Sequence, residues 1–422
     1  MADLSTNCAG IRSPNPFWLA SAPPANSGEQ IMRAFDAGWG GAVWKTLGTP
    51  IQNVSSRFGA LHYGGQRAVG FNNIELITDR PLDVNFKEIY EVKKRYPDHA
   101  VIASLMVETE EEWKDIIKRS IDAGADGLEL NFGCPHGMCE RGMGSAVGQE
   151  PTVNERITSW AKRYSTVPVL VKLTPNVGDI IPHGLAAQKG GADGVSLINT
   201  IKSIIGVDID RLVLEPRVSS LSTNGGYCGT AVKPIALHMV AQLARSANFN
   251  IPISGIGGVN SWRDAVEFLL LGSSSVQVCT AVMLKGYRIV EDMIEGLNDY
   301  MDDKGFATLD QMIGGAIPSY SEWGNLDMNY ETIAKINADK CIGCQLCVVA
   351  CHDGAHQCIH PTENTRVPVV DESECVGCNL CQIVCPVEGC IDMVTVDNGY
   401  SPATWNQHIG DGVTLRPKKG AH

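Results

Sequence analysis

Ala123-Gly124-Ala125-Asp126-Gly127 and, 67 residues later, Gly190-Gly191-Ala192-Asp193-Gly194 share one pattern. Each closes a helical stretch and opens a short apolar run, so each reads as a helix-to-strand turn. The helical stretch before the first, Glu110–Ala123, places Trp113, Ile116, Ile117 and Ile121 at helical spacing with charges between them. Thr109 suits its N-cap and Gly124 its stop. Working outward, apolar runs at Phe17–Ala20, Gly41–Lys45, Val101–Leu105, Gly127–Leu130, Val169–Leu173, Gly194–Ile198, Ile251–Ser254 and Ser275–Val278 read as strands. Most are continuously apolar, as in parallel strands buried on both faces. Pro234–Leu243 and Trp262–Leu271 are further helices. The recurring turn marks a repeated βα unit. Eight such units over about 300 residues predict an α/β fold, a (β/α)8 TIM barrel, with a doubly wound open sheet as the alternative.

The 422 residues carry 34 basic and 47 acidic side chains, a formal net charge of −13, which disfavours nucleic-acid binding through phosphate neutralisation. The 44% hydrophobic content excludes a mainly disordered chain. Apolar stretches fall short of the ~20 residues of a membrane span. Residues 1–16 show no signal-peptide pattern, so a cytoplasmic location with no membrane partner is expected.

Ten of the 15 cysteines lie between Cys341 and Cys390. Without a secretory signal, this density points to metal or cluster ligation rather than disulfides. The spacing is Cys341-x2-Cys344-x2-Cys347-x3-Cys351, then Cys375-x2-Cys378-x2-Cys381-x3-Cys385-Pro386. Three thiolates of such a loop wrap one cubane, and the fourth reaches the other cluster. Cys341, Cys344, Cys347 and Cys385 are therefore expected on one [4Fe-4S] cluster, and Cys375, Cys378, Cys381 and Cys351 on the other. The segment resembles the bacterial two-cluster ferredoxins, an α+β ferredoxin-like fold. It departs from them in His352 after Cys351 and in a spacer with His356, Cys358 and His360, read as an insertion rather than a zinc site. Cys358 and Cys390 are left over and read as packing residues. The expected domains are 1–301 for the barrel, 302–335 for an acidic linker, 336–398 for the cluster domain and 399–422 for a poorly ordered tail. From Glu291 to Lys340 the chain has 11 acidic and 3 basic residues.

Clusters move single electrons, so the barrel needs a group that does chemistry with them. The first strand is not followed by G-x-G-x-x-G, and there is no P-loop. Gly255-Ile256-Gly257-Gly258 follows the seventh candidate strand and Cys279-Thr280 the eighth, where barrels commonly bind phosphate. This favours FMN, which converts one-electron supply into hydride chemistry.

The body resembles the flavin-dependent dihydroorotate and dihydropyrimidine dehydrogenases. The matching segments include Leu19-Ala20-Ser21-Ala22, Val43-Trp44-Lys45-Thr46, Asn72-Asn73-Ile74-Glu75-Leu76, Leu130-Asn131-Phe132-Gly133-Cys134-Pro135, Val171-Lys172-Leu173-Thr174-Pro175-Asn176, Asn199-Thr200 and Gly225-Gly226. With the ferredoxin end in the same chain, the nearer resemblance is to the dihydropyrimidine dehydrogenase family, at its bacterial catalytic subunit. That family reduces uracil and thymine. The resemblance implies NADH and FAD on a partner flavoprotein subunit, because this chain shows no nicotinamide fingerprint. It also carries the expectation that two barrels pair as a homodimer.

Uracil reduction adds hydride at C6, available from N5 of reduced FMN, and a proton at C5. By resemblance Cys134 is the acid. A thiol at its ordinary pKa of about 8.5 holds its proton at neutral pH. Gly137, Gly142 and Gly144 would make a loop able to close over substrate. Asn73, Asn131 and Asn199, with Thr200, match the donors and acceptors of a pyrimidine edge, and Glu75 is expected to orient them. Lys172, with Lys45 nearby, would face the negative charge of reduced flavin. Ala20 and Ser21 would touch its rings, and Gly226 would pack close to it. Gly257, Gly258, Cys279 and Thr280 would hold its phosphate. Gly133 stands where the resemblance leads one to expect Ser, which leaves a related cyclic amide open as substrate. Cys139 is a second thiol in the Cys134 loop. Two other readings stay open: a dihydroorotate dehydrogenase with Cys134 as base, and a non-catalytic electron-transfer module.

Overall fold

A computed structural model describes residues 2–49, 51–135, 142–354, 356–417 and 419. The chain divides into two compact units, Met1–Ser319 and Tyr320–His422.

In the first unit, eight strands alternate with eight helices. They are β1 (Phe17–Leu19), α1 (Gly28–Ala37), β2 (Gly41–Leu47), α2 (Leu82–Arg95), β3 (Ala100–Leu105), α3 (Glu110–Asp122), β4 (Gly127–Asn131) and α4 (Pro151–Tyr164). Then come β5 (Val169–Lys172), α5 (Ile181–Lys189), β6 (Gly194–Leu197), α6 (Lys233–Ala244), β7 (Ile253–Ile256), α7 (Trp262–Leu270), β8 (Ser273–Val278) and α8 (Ile289–Lys304). The strands pair in parallel and in chain order, and β8 returns to β1 through Val276↔Phe17, closing the barrel. That closure excludes the open sheet. Every predicted strand is present; β7 starts two residues late, because Pro252 lacks an N–H and contributes only its carbonyl, to Val195 N.

The two repeated turns do the same work twice. Gly124 and Gly191 hold φ of +91° and +90°, a conformation costly for other residues. Asp126 Oδ2 accepts from Val101 N at 2.8 Å and pairs with Lys93 at 2.7 Å. Asp193 Oδ2 accepts from Val169 N and from Lys162 Nζ, both at 2.7 Å. Each Asp thus ties a strand's entry to an N–H at the start of its neighbour. Gly127 has no room for a Cβ, with Ile11 Cδ1 2.4 Å from where it would lie. Ile11 belongs to a hairpin (Thr6–Cys8 with Ile11–Ser13), and Cys8, Ile11, Trp18, Val43, Ile102 and Leu170 form a core cluster at the strand starts. Thr109 and Glu112 form the capping box that starts α3.

One layer escaped the sequence reading. Phe58–Tyr63, Gln66–Asn73, Gly225–Cys228 and Ile201–Ser203 form a four-stranded antiparallel sheet, contributed by the segments after β2 and β6. Phe58–Tyr63 is largely exposed and shows no apolar alternation, so periodicity carries no signal there.

The expected linker 302–335 is not one. Leu309 and Met312 are buried in the barrel core, and Gly314 N and Ala316 N donate to the carbonyls of Leu269 and Leu270. At its other end Thr332–Ile336 is a strand of the second unit, antiparallel to Ile391–Thr395. The expected loose tail is also corrected. Trp405–Asp411 is a helix capped by Thr404 and Gln407, Asn329 Nδ2 donates to Ser401 O, and the cation of Arg416 lies 3.6 Å from Glu331.

The second unit has a pseudo-repeat of loop and helix. Helix Leu346–Gly354 carries Cys347 and Cys351; helix Leu380–Val384 carries Cys381, with Cys385 next in the chain. A short hairpin, Ile359–His360 with Val369–Val370, fills the spacer.

Candidate active site

The C-terminal ends of the barrel strands and the added sheet surround a cleft with about 1240 Å³ of empty space, its open mouth included. Barrel chemistry is normally sited at this end. Its walls include Ala20 and Ser21 after β1, Lys45 on β2, Asn131 on β4, Cys134 just beyond, Lys172 on β5 and Asn199 and Thr200 after β6. Gly257, Gly258, Cys279 and Thr280 line it after β7 and β8, and Asn73 and Glu75 reach it from the added sheet. Gly226 alone among the expected residues is not in the wall. Its carbonyl accepts from Asn73 Nδ2 at 3.2 Å, and a Cβ there would lie 2.1 Å from Thr200 Oγ1. It packs directly behind two wall residues, Asn73 and Thr200. Gly137 and Cys139 lie outside the described residues.

Both lysines have carboxylate partners that the sequence reading did not supply. Lys45 ion-pairs with Glu75, whose carboxylate also lies 3.2 Å from Arg57. Glu75 therefore fixes Lys45. Lys172 Nζ stands 3.3 Å from Oε1 of Glu129, which is 0% exposed inside the barrel. The distance is that of an ion pair, but the alignment is not that of a hydrogen bond, and Glu129 Oε1 has no hydrogen-bond partner. Glu129 Oε2 accepts from Ser196 Oγ at 2.7 Å and Gln277 Nε2 at 2.9 Å. Gln277 Oε1 is buried, has no donor, and belongs to a residue of the cleft wall.

The amides form a connected belt. Ser21 Oγ lies 3.2 Å from Thr46 Oγ1; Thr46 Oγ1 accepts from Asn131 Nδ2 at 3.0 Å. Asn131 Oδ1 accepts from Asn199 Nδ2 at 3.0 Å, and Asn199 Oδ1 from Thr200 N at 2.8 Å. Both amide oxygens are thus engaged within the protein, and what each amide keeps for a ligand is its second N–H. Asn176, quoted in a matching segment but given no role there, donates to Thr200 O at 3.2 Å and accepts from Lys202 N at 2.8 Å, bracing this loop.

Cys134 is 9% exposed and packs with Ile77, Met106 and Met143. Its carbonyl accepts from Ser145 N at 3.0 Å, which fastens it to the chain that returns through Gly142 and Gly144, at φ of +75° and +59°. Gly133 explains its own departure from the expected Ser. A Cβ at 133 would lie 2.3 Å from Asn199 Cβ. The Gly133→Ser variant should displace Asn199 and raise KM by about tenfold, the low end of a 1–3 kcal/mol overpacking cost. Steady-state kinetics check this, and an unchanged KM would show that Asn199 does not contact substrate.

A flavin and its phosphate fit these walls. Gly257 and Gly258, at φ of +131° and +78°, leave no space for a Cβ, with Ala236 at 2.7 Å and Lys233 at 2.8 Å. Such turns let backbone approach an anion closely. Burial pushes the thiols of Cys279 and Cys228 up to about 12 and about 11, so neither adds negative charge there at neutral pH.

In the second unit Cys341, Cys344, Cys347 and Cys385 line one cavity, together with Cys390. Cys351 lies 3.6 Å, sulfur to sulfur, from Cys358, which in turn touches Cys375. His352 and His360 stand 6.0 Å apart, centroid to centroid.

Residues 3–301 match the dihydroorotate dehydrogenase family model, and 334–393 a 4Fe-4S dicluster domain. The NAD-dependent dihydropyrimidine dehydrogenase subunit PreA of Escherichia coli K12 is 46% identical over 393 residues, 93% of this chain and 95% of that one. The chain belongs to the dihydroorotate and dihydropyrimidine dehydrogenase family. Within that family, the chloroplastic dihydropyrimidine dehydrogenase (NADP(+)) of Arabidopsis thaliana is 41% identical over 76% of this chain and 78% of its own. The catalytic subunit of dihydroorotate dehydrogenase B (NAD(+)) from Pyrococcus horikoshii is 38% identical; the match takes in 98% of that chain but 74% of this one. Flavin and two 4Fe-4S clusters are the prosthetic groups this family and this dicluster domain imply.

Proposed function

We propose that this chain reduces the 5,6 double bond of uracil and thymine. The observation that carries the reading is the pairing, in one cleft wall, of a cation and an acceptor with a thiol. Among the described residues the Lys172 Nζ ammonium has an ion-pair partner in Glu129 but makes no hydrogen bond, and Gln277 Oε1 accepts none. A flavin's pyrimidine edge offers the matching carbonyl and N–H. When bound, FMN supplies hydride to the substrate ring. Cys134 Sγ holds the proton and releases it to C5 from the opposite face. The second N–H groups of Asn131 and Asn199 orient the ring, with Asn73 and Thr200 beside them. Ile77, Met106 and Met143 keep water from the thiol.

The match to the Escherichia coli dihydropyrimidine dehydrogenase subunit extends over 93% of this chain, whereas that to the dihydroorotate dehydrogenase B subunit stops at 74%, which favours this reading over dihydroorotate oxidation. Electrons would come from NADH through an FAD-containing partner subunit, then the clusters. The matched Escherichia coli protein is itself named as a subunit, which supports a partnered enzyme. Pairing of barrels in a homodimer has a candidate surface in Val207, Ile209, Leu212 and Leu221, apolar and exposed on the arm that follows β6. Among the described residues no helix is long and apolar enough to cross a membrane, which is in keeping with a cytoplasmic enzyme. The test is anaerobic turnover with uracil, thymine and orotate, using a chemically reduced one-electron donor. Loss of the uracil and thymine chromophores is expected, and conversion of orotate alone would reject the proposal.

A further inference from the structure

Ten cysteines crowd the second unit, yet two clusters need eight. The remaining two, Cys358 and Cys390, occupy equivalent places. Cys390 follows the fourth cysteine of its half by five residues and Cys358 by seven, and each directly precedes a strand. Cys390 is 2% exposed, lines the cavity of Cys341, Cys344, Cys347 and Cys385, and touches Cys385 and Cys341 through its side chain. Cys358 is 4% exposed and touches Cys351 and Cys375. Cys358 also donates its backbone N–H to Cys351 Sγ at 3.3 Å. In both halves the extra sulfur therefore lies against the first and last ligands of one expected set. Packing alone would ask for a small apolar side chain, and would not place sulfur against the same two ligands twice.

We propose that Cys390 and Cys358 are reserve ligands, one for each 4Fe-4S cluster. If the bond from iron to Cys385 or Cys341 is lost, the Cys390 sulfur binds the opened iron and its S–H proton passes to solvent; no electron moves. Cys358 does the same for Cys351 or Cys375. The backbone supports a short shift at Cys390. Asn337 O receives both Cys341 N at 3.0 Å and Cys390 Sγ at 3.8 Å, and Asn337 N donates to Cys390 O at 2.8 Å, so one residue holds ligand and reserve together.

The experiment compares iron content and the paramagnetic 3Fe-4S signal of whole, anaerobically purified protein, independently of turnover. Wild type should hold about eight irons per chain. Cys385→Ala and Cys341→Ala should keep that number and show no 3Fe signal. Cys385→Ala/Cys390→Ala should lose at least one iron and show the signal. The same contrast is expected between Cys351→Ala and Cys351→Ala/Cys358→Ala. Single variants that lose iron as their double variants do would overturn the proposal. So would loss of iron in Cys390→Ala or Cys358→Ala alone, since that would make the thiols packing residues on which the native clusters depend.

Discussion

Replacing Cys134 by Ala should lower kcat for pyrimidine reduction by about 10²–10⁴-fold, the usual contribution of a positioned proton donor. The bound flavin should keep its spectrum, because the groups that suit it are Lys172, Gln277 and the Gly257–Gly258 turn, not the thiol. KM should change little, since the substrate contacts argued above are amides from β4 and from the loop after β6. The fold should tolerate the change. Cys134 packs in a small cluster of Ile77, Met106 and Met143 rather than in the main core. Its link to the returning chain runs through its backbone carbonyl, which Ala retains. Rapid-reaction kinetics with prereduced protein isolate the proton-coupled step. A Cys134→Ala protein that reduces uracil at the wild-type rate would take the thiol out of the chemistry and assign the proton to another donor.

What the sequence shows and hides follows from where each signal originates. The eight strands are legible because a parallel strand covered on both faces must be apolar along its whole length. The Ala-Asp-Gly turns are legible because backbone geometry and a side-chain tie both constrain them, so the same residues recur. The cysteine spacing is legible because cluster ligation sets distances along the chain. Glu129 and Gln277 leave no such trace. Each sits in mid-strand among apolar residues, and its meaning lies in a neighbour distant in sequence: Gln277 Nε2 meets Glu129 Oε2 across 148 positions. The mutual engagement of Asn131 and Asn199 is hidden for the same reason, as is the room Gly133 leaves for Asn199. The boundary near 302–335 was misplaced because acidic composition describes a solvated face. It does not show that Leu309 and Met312 point inward from that face.

The Glu129–Lys172 pair carries the second large effect. Glu129→Leu should destabilise the barrel by about 3–5 kcal/mol, the cost of leaving a buried charge without its partner. The loss comes mostly from Lys172, a buried side chain whose ammonium would keep no carboxylate. Ser196 and Gln277 would also lose their shared acceptor. The double variant Glu129→Leu/Lys172→Met removes both charges, and buried pairs replaced by apolar side chains are often neutral or stabilised by about 1–4 kcal/mol. The double variant should therefore unfold near the wild-type temperature, or above it, while the single one melts well below. Flavin content separates this from a purely structural role. If Lys172 faces the flavin's negative charge, the double variant should be stable and yet retain flavin poorly. Thermal unfolding of flavin-free protein, paired with flavin titration, reads both effects. A single variant as stable as wild type would mean that the two charges do not compensate each other in the folded barrel.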